Sequence, residues 1–283
     1  MSALKNMLKN NPIVKMQTRI WGSLEQIKKN AEVSRMAAAN PYLSKVRNFN
    51  LDRQLSFNKT VETLVSERIS FARFGDGELK LMLRSTYKLG FQANSEKLQS
   101  ELRQVLAIAK TSPKKLLIGF PQMYHDLHWS GVWVEIADET LELFGDIKRV
   151  GNAHVTRPVF FENAGLDGVQ LWRKVWDGKS VRIVTGKGSR FDLTPDLFDN
   201  VKSVEFTYST PKNAFEDLDR LRGALAETEE DLYLIALGPA GTILAANLAA
   251  QGKWAIDLGH ISDSYENVFK GGAHPERKPL TKS

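Results

Sequence analysis

Several features that define other protein classes are missing from this sequence. None of its 283 residues is cysteine, which excludes a disulfide scaffold, a thiolate zinc site and a cysteine nucleophile. No apolar run approaches the roughly 18 residues that a membrane-spanning helix needs. The first 20 residues contain scattered lysines and no uninterrupted apolar stretch. They therefore predict no signal peptide, and the cytoplasm is the expected compartment.

The signatures of several large enzyme classes are absent as well. The sequence contains no GxSxG elbow, no HExxH motif and no protein-kinase motif set, which argues against a serine hydrolase, a zinc protease and a protein kinase. What is present is an ordinary composition, with 42% apolar and 25% charged residues. These values are typical of a soluble globular chain with a buried core.

The positive charge is concentrated at the two ends of the chain. Residues 1–50 contain nine Lys and Arg against two Glu, and residues 270–283 contain four against one, within a formal net charge of +6. The middle is therefore mildly acidic, whereas a nucleic-acid-binding protein carries its basic patch on the folded body. The sequence predicts no nucleic-acid partner. The basic ends have two open interpretations: peripheral contact with the inner face of an anionic membrane, or solvated, poorly ordered termini.

A helical segment precedes the main domain. Ile20, Leu24 and Ile27 recur at helical spacing with polar residues between them, which predicts an amphipathic helix. The pair Asn40-Pro41 is predicted to end that helix. We therefore divide the chain into a basic N-terminal helical extension (1–50), a globular domain (51–270) and a basic C-terminal tail (271–283). The oligomeric state is not indicated.

Short apolar runs then alternate with longer helical patterns. The apolar runs are residues 69–74, 116–119, 147–150, 181–184, 204–207, 232–236 and 254–258. The clearest helical patterns are residues 96–110, 164–176, 214–227 and 240–251. This alternation predicts an α/β fold with a Rossmann-like, mostly parallel sheet and helices on both faces. Ligands of such sheets bind at the carboxyl ends of the strands, so candidate residues are those that follow each strand.

The first predicted strand runs into the sequence RFGDGE, residues 73–78. Gly75 permits a tight turn, and Asp76 and Glu78 supply hard oxygen ligands of the kind that Mg²⁺ or Mn²⁺ prefers. A divalent ion there could bridge a nucleotide diphosphate. The alternative is structural, with Asp76 capping the following helix and Glu78 solvated in its first turn.

A second candidate follows the most apolar strand. Gly238, Pro239, Ala240, Gly241 and Thr242 open a predicted helix, and small residues at a helix N-terminus expose backbone N–H groups that bind phosphate. The stretch matches neither the GxGxxG dinucleotide fingerprint nor a Walker A loop. The alternative is a plain, tight connection between a strand and a helix.

Further polar residues follow other predicted strands. His260 follows the last strand and could act as a metal ligand or a general base, although a lone histidine is more often structural. Arginine suits the bidentate recognition of phosphate. The other residues of this set are Asn152, His154, Arg157, Lys187, Ser189, Arg190 and Asn213. Together with the acidic pair, they describe a site for a metal-bound phosphate ester.

These stretches, taken in order, resemble a known family. The segments are ISFARFGDGELKLM, GFQANSEKLQSEL, NAHVTRP, TGKGSRFDLTPDLFDN, PKNAFEDLD and LIALGPAGTILAANLAAQGKWAIDLGHI. From about Glu67 to Phe269 the chain resembles the bacterial glycosyltransferases of the GT-D fold. That family is similar to Rossmann-like nucleotide-sugar binders and transfers a sugar, characteristically glucose from UDP-glucose, with a DxE motif and a divalent metal, typically Mn²⁺.

The resemblance implies site residues and partners in this chain. Asp76 and Glu78 correspond to the DxE motif, and the acceptor is implied to be a glycan, a lipid-linked glycan or a glycoprotein. The run Phe191–Pro195 and the residue Lys187 depart from the family pattern. They lie where the sugar or acceptor is expected, so the identity of the sugar stays open.

We therefore expect a metal-dependent glycosyltransferase that uses a UDP-sugar. The metal ligands are expected to be Asp76, Glu78 and His260, and the phosphate-binding groups to be Arg73, Gly75, Arg157, Arg190, Gly238, Pro239, Gly241 and Thr242. The general base is open between His260, Asp263 and Glu162. Two other functions are also open: a metal-dependent nucleotide or sugar-phosphate hydrolase, and a nucleotide-binding module without turnover.

Overall fold

A single parallel sheet organises the protein, for which a computed structural model describes residues 11–279. Within this range seven strands pair in the order β3-β2-β1-β7-β6-β4-β5, with every pairing parallel. The strands are β1 (Ser70–Arg73), β2 (Leu116–Phe120), β3 (Gly151–Asn152), β4 (Ser180–Gly186), β5 (Ser203–Ser209), β6 (Leu232–Ala236) and β7 (Ala255–Asp257). The predicted α/β fold with a parallel sheet is confirmed.

Helices connect the strands. The α-helices are α1 (Pro12–Arg53), α2 (Phe57–Glu67), α3 (Asp76–Leu83), α4 (Glu96–Thr111), α5 (Leu127–Phe144), α6 (Pro158–Trp176), α7 (Pro195–Phe198), α8 (Leu218–Ala226), α9 (Pro239–Ala250) and α10 (Ile261–Phe269). Within residues 11–279, three 3₁₀ turns cover Ala153–Thr156, Ala214–Asp217 and Pro275–Arg277. Among the described residues, no helix has both the length and the apolar character needed to cross a membrane.

The sheet buries both of its faces. Phe71 and Ile256 belong to a core that they share with helices α2, α6 and α10, including Trp172. Their strand neighbours Ala72 and Ala255 are also buried but lie outside that core. Because successive side chains of a strand point to opposite faces, this alternation places helices on both sides of the sheet, as predicted.

The chain divides into two compact units. One contains α1 up to Asn48 together with Met123–Ala137, within which the hydroxyl of Ser130 donates to the sulfur of Met36 at 3.2 Å. The other contains Phe49–Gln122 and the chain from Asp138 onward, and therefore the whole sheet. The predicted domain limits at residues 50 and 270 stay predictions. Residues 1–10 and 280–283, which belong to the predicted extension and tail, lie outside the described residues.

The prediction that the first helix ends at Asn40-Pro41 is wrong. Helix α1 continues through Pro41 to Arg53. A proline inside a helix costs about 3 kcal/mol because a hydrogen bond is lost. Leu43 and Val46, which follow it, are buried, and burial of such a side chain contributes about 1.5–3 kcal/mol. Burial along the second half of the helix therefore outweighs the local signal to stop.

The strand predicted at residues 147–150 is also misplaced. The strand β3 is Gly151–Asn152, and Val150 makes only an isolated bridge with Gln54. A Cβ at residue 151 would lie 2.9 Å from the ring of Phe71, so only a glycine lets this strand approach its neighbours. The apolar residues of the run 147–150 precede the strand, and the strand itself consists of Gly151 and Asn152.

Candidate functional site

The turn between β1 and α3 carries the predicted acidic pair at the carboxyl edge of the sheet. Strand β1 ends at Arg73 and helix α3 begins at Asp76, so both carboxylates lie in its first turn. The N–H of Gly75 donates to Glu78 Oε2 at 2.9 Å. Glu78 rather than Asp76 therefore caps the helix. A Cβ on residue 75 would lie 3.0 Å from that carboxylate oxygen, which explains the glycine.

The carboxyl group of Glu78 has a raised pKa. Burial is the main cause of the rise and the nearby charge of Asp257 is the second, while the N–H of Gly75 and the guanidinium of Arg73 lower the pKa. The net effect raises the pKa of Glu78 from 4.5 to about 7. A cation bound beside Glu78 would therefore compete with a proton at neutral pH.

Asp257 ends β7, next to β1, and faces the same region. It is buried, and its Oδ1 lies 3.8 Å from Arg73 Nε and accepts from the N–H of Gly259 at 3.1 Å. The hydroxyl of Thr242 lies 3.2 Å from Asp257 Oδ2 and 2.9 Å from the carbonyl oxygen of Arg73. Burial raises the pKa of Asp257, and Arg73 partly offsets that effect. Two carboxyl groups and one guanidinium thus share this part of the edge.

The guanidinium of Arg73 is hydrogen-bonded on one side and closely packed on the other. Its Nη1 donates to the carbonyl oxygen of Ala153 at 2.9 Å and to the hydroxyl of Thr156. On the other side, Gly259 has a positive φ of 51°, and a Cβ there would lie only 2.1 Å from Arg73 Nη2. The glycine is therefore needed for both its backbone conformation and the space it leaves to the guanidinium.

His260 contacts one arginine and lies within the electrostatic influence of two more. Arg190 Nη2 lies 2.9 Å from His260 Nδ1. Burial, followed by the positive charges of Arg157, Arg190 and Arg73, holds the pKa of His260 well below its usual range. The imidazole is therefore unprotonated at neutral pH. Guanidinium groups near a neutral ring at the carboxyl edge of a sheet suit an anion such as a phosphate.

His154 is a second neutral imidazole in the same region. Burial and the charges of Arg157 and Arg73 lower its pKa to about 3. Its Nδ1 accepts from the N–H of Gln122 at 3.3 Å, so the ring supports a neighbouring loop. In the sequence, His154 was one of several polar residues predicted to follow strands. In the structure, it lies near the charges of Arg157 and Arg73.

The C-terminal segment lies against the same arginines. Arg190 Nη1 donates to the carbonyl oxygens of Pro275 and Lys278, at 2.5 and 2.9 Å, and Arg157 forms an ion pair with Glu276. The ammonium group of Lys278 lies 2.8 Å from a carboxylate oxygen of Asp263. Pro275 is buried and Lys278 is half-buried, whereas Glu276 and Arg277 are exposed, so the prediction of a solvated tail fails only for the first two.

The Gly238 loop is tightly packed. Gly238 has a φ of 56°, and a Cβ there would lie 2.8 Å from the ring of Phe91. Pro239 and Thr242 are buried, and a Cβ on Gly241 would lie 3.1 Å from Ile235 Cγ2. The N–H of Gly241 donates to the carbonyl oxygen of Gly238 at 2.8 Å. Packing thus explains these glycines, and contact of the loop with phosphate stays a prediction.

The predicted metal ligands do not form a group of three. Among residues 11–279, no three or more His, Asp or Glu side chains are placed to hold a metal ion. Asp76 and Glu78 lie in the same helical turn. His260 instead contacts Arg190 and is influenced by the charges of Arg157 and Arg73. Of the predicted ligands, the acidic pair alone offers carboxylate oxygens. Carboxylate oxygens suit Mg²⁺ or Mn²⁺ in that arrangement.

The three candidates for the general base differ in their surroundings. Asp263 Oδ2 lies 3.0 Å from Arg190 Nε, and its other oxygen is paired with Lys278. Glu162 is exposed on α6. His260 has the lowered pKa described above, which makes it a weak proton acceptor.

Two other polar residues that the sequence predicted lie beyond their strands. Lys187 is exposed after β4, and the side-chain oxygen of Asn213 accepts from the N–H of Ala93 at 2.9 Å.

Sequence reasoning missed Asp257 as a member of this site. The signal that could have found it is an acidic residue ending an otherwise apolar strand, since a buried carboxylate needs a partner. Glu276 was missed as well. It lies in a segment that composition alone assigned to a basic tail.

Comparisons with known proteins agree with one another. A family model described as the glycosyltransferase GT-D fold matches residues 71–282. A solved structure described as a domain of unknown function 1792 with a distinct glycosyltransferase fold has a TM-score of 0.73 and 26% identity, covering 86% of this chain and 90% of that one. A new glycosyltransferase of the same domain class from Streptococcus sanguinis has a TM-score of 0.69 and 25% identity, over 82% and 90%.

Curated relatives are similar over most of this chain. A probable glycosyl transferase Gly of Streptococcus gordonii is 27% identical over 232 residues, which is 78% of this chain and 33% of the relative. Glycosyltransferase GlyD of Streptococcus pneumoniae is 26% identical over 226 residues, or 76% and 27%. The chain thus spans about a third or less of the length of these relatives.

Proposed function

Because this chain belongs to the GT-D glycosyltransferase family, we propose that it transfers a hexose, glucose, from a UDP-sugar to a hydroxyl group of an acceptor. The acceptor class is a glycan, a lipid-linked glycan or a glycoprotein. The proposal includes a divalent ion, Mn²⁺ or Mg²⁺, and a reaction site at the carboxyl edge of the sheet.

The observation that carries the proposal is a group of three neighbouring arginines. Arg190 contacts His260, Arg157 is paired with Glu276 in the segment that Arg190 also binds, and Arg73 lies against the residue before His260. A nucleotide diphosphate presents two or more negative charges, and arginines placed in advance bind such charges without reorganising during the reaction. The acidic pair lies at the neighbouring strand end, because Arg73 closes β1 immediately before it. Anion-binding and cation-binding groups side by side suit a metal-bound diphosphate.

Asp76 and Glu78 would hold the divalent ion. Their oxygens fit a hard cation, and Glu78, with a pKa raised to about 7, would give up its proton on binding. Since no three described side chains form a metal site, phosphate oxygens and water would complete the coordination. When bound, such an ion supplies Lewis-acid stabilisation of the charge that develops on the departing diphosphate.

The protein's own residues bind and orient the donor. Arg73, held by Ala153 and Thr156, would bind the diphosphate together with Arg157. His260 accepts from Arg190 and stays unprotonated, so we favour a role in orienting that guanidinium over a role as general base. The proton of the acceptor hydroxyl would then pass to a carboxylate, and the candidates are Asp263 and Glu162.

One assay separates this function from its alternatives. The protein is incubated with UDP-glucose and Mn²⁺, and UDP is measured with and without glycan or glycoprotein acceptors. Release that requires an acceptor supports the transferase, and release into water alone indicates a hydrolase. Protection of the protein from thermal unfolding without any release indicates a nucleotide-binding module.

A further inference from the structure

The first half of helix α1 carries a row of exposed apolar side chains. Ile13, Met16, Ile20, Leu24 and Ile27 are between 47% and 66% exposed. At about 100° per residue they fall within roughly 80° of arc along one side of the helix. We call these five residues the apolar stripe. Water contact of so many large side chains is unfavourable, and a continuous exposed apolar patch marks an interaction surface.

The stripe is not the face on which the helix is buried. Ala39, Leu43 and Val46 are buried in the second half of α1. At 100° per residue, the centre of these three residues is rotated by about 100° about the helix axis from the centre of the stripe. The stripe is therefore a separate surface rather than the start of the packed face.

The charges around the stripe have one sign. Arg19 and Lys28 lie about a quarter of a turn from its centre, one on each side. Glu25 and Glu32, which are the acidic residues between positions 11 and 35, lie about a third of a turn or more from that centre. Basic residues at the borders of an apolar face place their charges at the level of lipid headgroups while their methylene chains lie along the apolar surface.

We propose that the apolar stripe of α1 docks on an anionic lipid surface. Ile13, Ile20 and Ile27 would enter the boundary between headgroups and acyl chains, and Arg19 and Lys28 would contact lipid phosphates. Trp21, which is 67% exposed beside the stripe, has the amphipathic ring that suits this boundary. The proposal goes beyond the proposed sugar transfer and does not rest on it.

A second copy of this chain fits the stripe less well. Helices that pair along a narrow apolar row place opposite charges on its two borders. Here Arg19 and Lys28 border the row, so two copies would bring like charges together. Between positions 11 and 35 the helix has five basic and two acidic residues, which disfavours pairing with itself and favours an anionic surface.

The test is vesicle flotation of the full chain. Vesicles of phosphatidylcholine alone are compared with an equimolar mixture of phosphatidylcholine and phosphatidylglycerol, at about 50 mM and about 500 mM salt. We expect binding to the anionic vesicles at low salt, weaker binding at high salt, and little binding to phosphatidylcholine alone. Ile20→Asp with Leu24→Asp should lower the bound fraction by at least about tenfold.

Thr18→Asp with Gly22→Asp is the matched control. It adds the same charge at the same spacing on the opposite side of the helix, where a side chain on residue 22 meets open space. This control should retain most of the binding. Equal losses in both double variants, or no flotation of the parent chain at low salt, would overturn the proposal. So would a parent chain that is dimeric in solution and made monomeric by the stripe substitutions, which would assign the stripe to self-association.

Discussion

Glu78 combines a structural and a chemical position. It caps α3 through the N–H of Gly75, and its pKa is raised to about 7 by burial and by Asp257. The capping bond uses one carboxylate oxygen. At the level of single residues, the structural and the functional interpretations of the acidic pair are therefore not exclusive.

Removing the charge of the acidic pair should stop turnover without unfolding the protein. Glu78→Gln keeps an oxygen for the Gly75 N–H, and Asp76→Asn keeps the side-chain shape. Because the proposed metal would lose a carboxylate, we expect UDP release to fall by about a hundredfold or more in each variant. Glu229→Gln, an exposed position before β6, is the control. Activity near the parent level in both variants would remove the acidic pair from the mechanism.

The raised pKa of Glu78 predicts a pH dependence of stability. The folded protein holds this proton up to about pH 7, whereas the unfolded chain releases it near 4.5. Folded protein therefore binds more protons between these values, and its stability falls as the pH rises through them. In chelator, denaturant unfolding should lose about 1–3 kcal/mol from pH 4.5 to pH 8. Glu78→Gln should flatten that loss, and an unchanged profile would contradict the raised pKa.

Among the elements, the β6–α9 connection depends on one glycine conformation. Gly238 has a φ of 56° and lies against the ring of Phe91. Gly238→Ala should therefore lower the free energy of unfolding by about 2 kcal/mol or more, measured by denaturant titration. Gly223→Ala, in the exposed middle of α8 with open space around it, should instead raise it by about 0.5–1 kcal/mol. Equal effects would contradict the packing account.

Packing also changes the expected effect of Gly241→Val. If the loop backbone binds phosphate, a β-branched side chain at this helix N-terminus should weaken UDP binding. The contact with Ile235 adds a loss of stability, so UDP binding must be measured where the variant is fully folded.

The C-terminal segment is a second element with a testable role. Glu276 is paired with Arg157, one of the guanidinium groups proposed to bind the diphosphate, so the two anions compete for it. Glu276→Gln should lower the Kd for UDP by about two- to fivefold. This change corresponds to the free energy that a partly exposed ion pair contributes. Titration calorimetry measures this, with Glu229→Gln as the control. A higher Kd would instead show that Glu276 holds Arg157 in its binding position.

At the scale of the whole molecule, activity should depend on a hard divalent ion. EDTA should abolish UDP release, and Mn²⁺ or Mg²⁺ should restore it, while Zn²⁺ should restore little because the chain has no thiolate ligand. UDP should also protect the protein from thermal unfolding more strongly with Mn²⁺ than without it. Full activity after exhaustive chelation would contradict the metal-dependent mechanism.

Local patterns in the sequence were enough to predict the class of fold and the sheet edge that carries the candidate site. Alternating apolar runs and helical patterns are local signals, and they located most strands and helices to within a few residues. Since parallel strands end at one edge, they also placed Arg73, Asp76 and His260 on that edge. The exceptions were Pro41, where burial outweighed a local stop signal, and β3, where close approach required a glycine.

The charge states and partners of the candidate-site residues could be read only from the folded protein. Burial and then Asp257 raise the pKa of Glu78, and burial and then Arg157 lower the pKa of His260. Glu276 pairs with Arg157 across more than a hundred residues of sequence. Such effects depend on burial and on distances between remote parts of the chain, which no local pattern encodes. The residue types were readable in the sequence, whereas their electrostatic roles follow from the fold that brings them together.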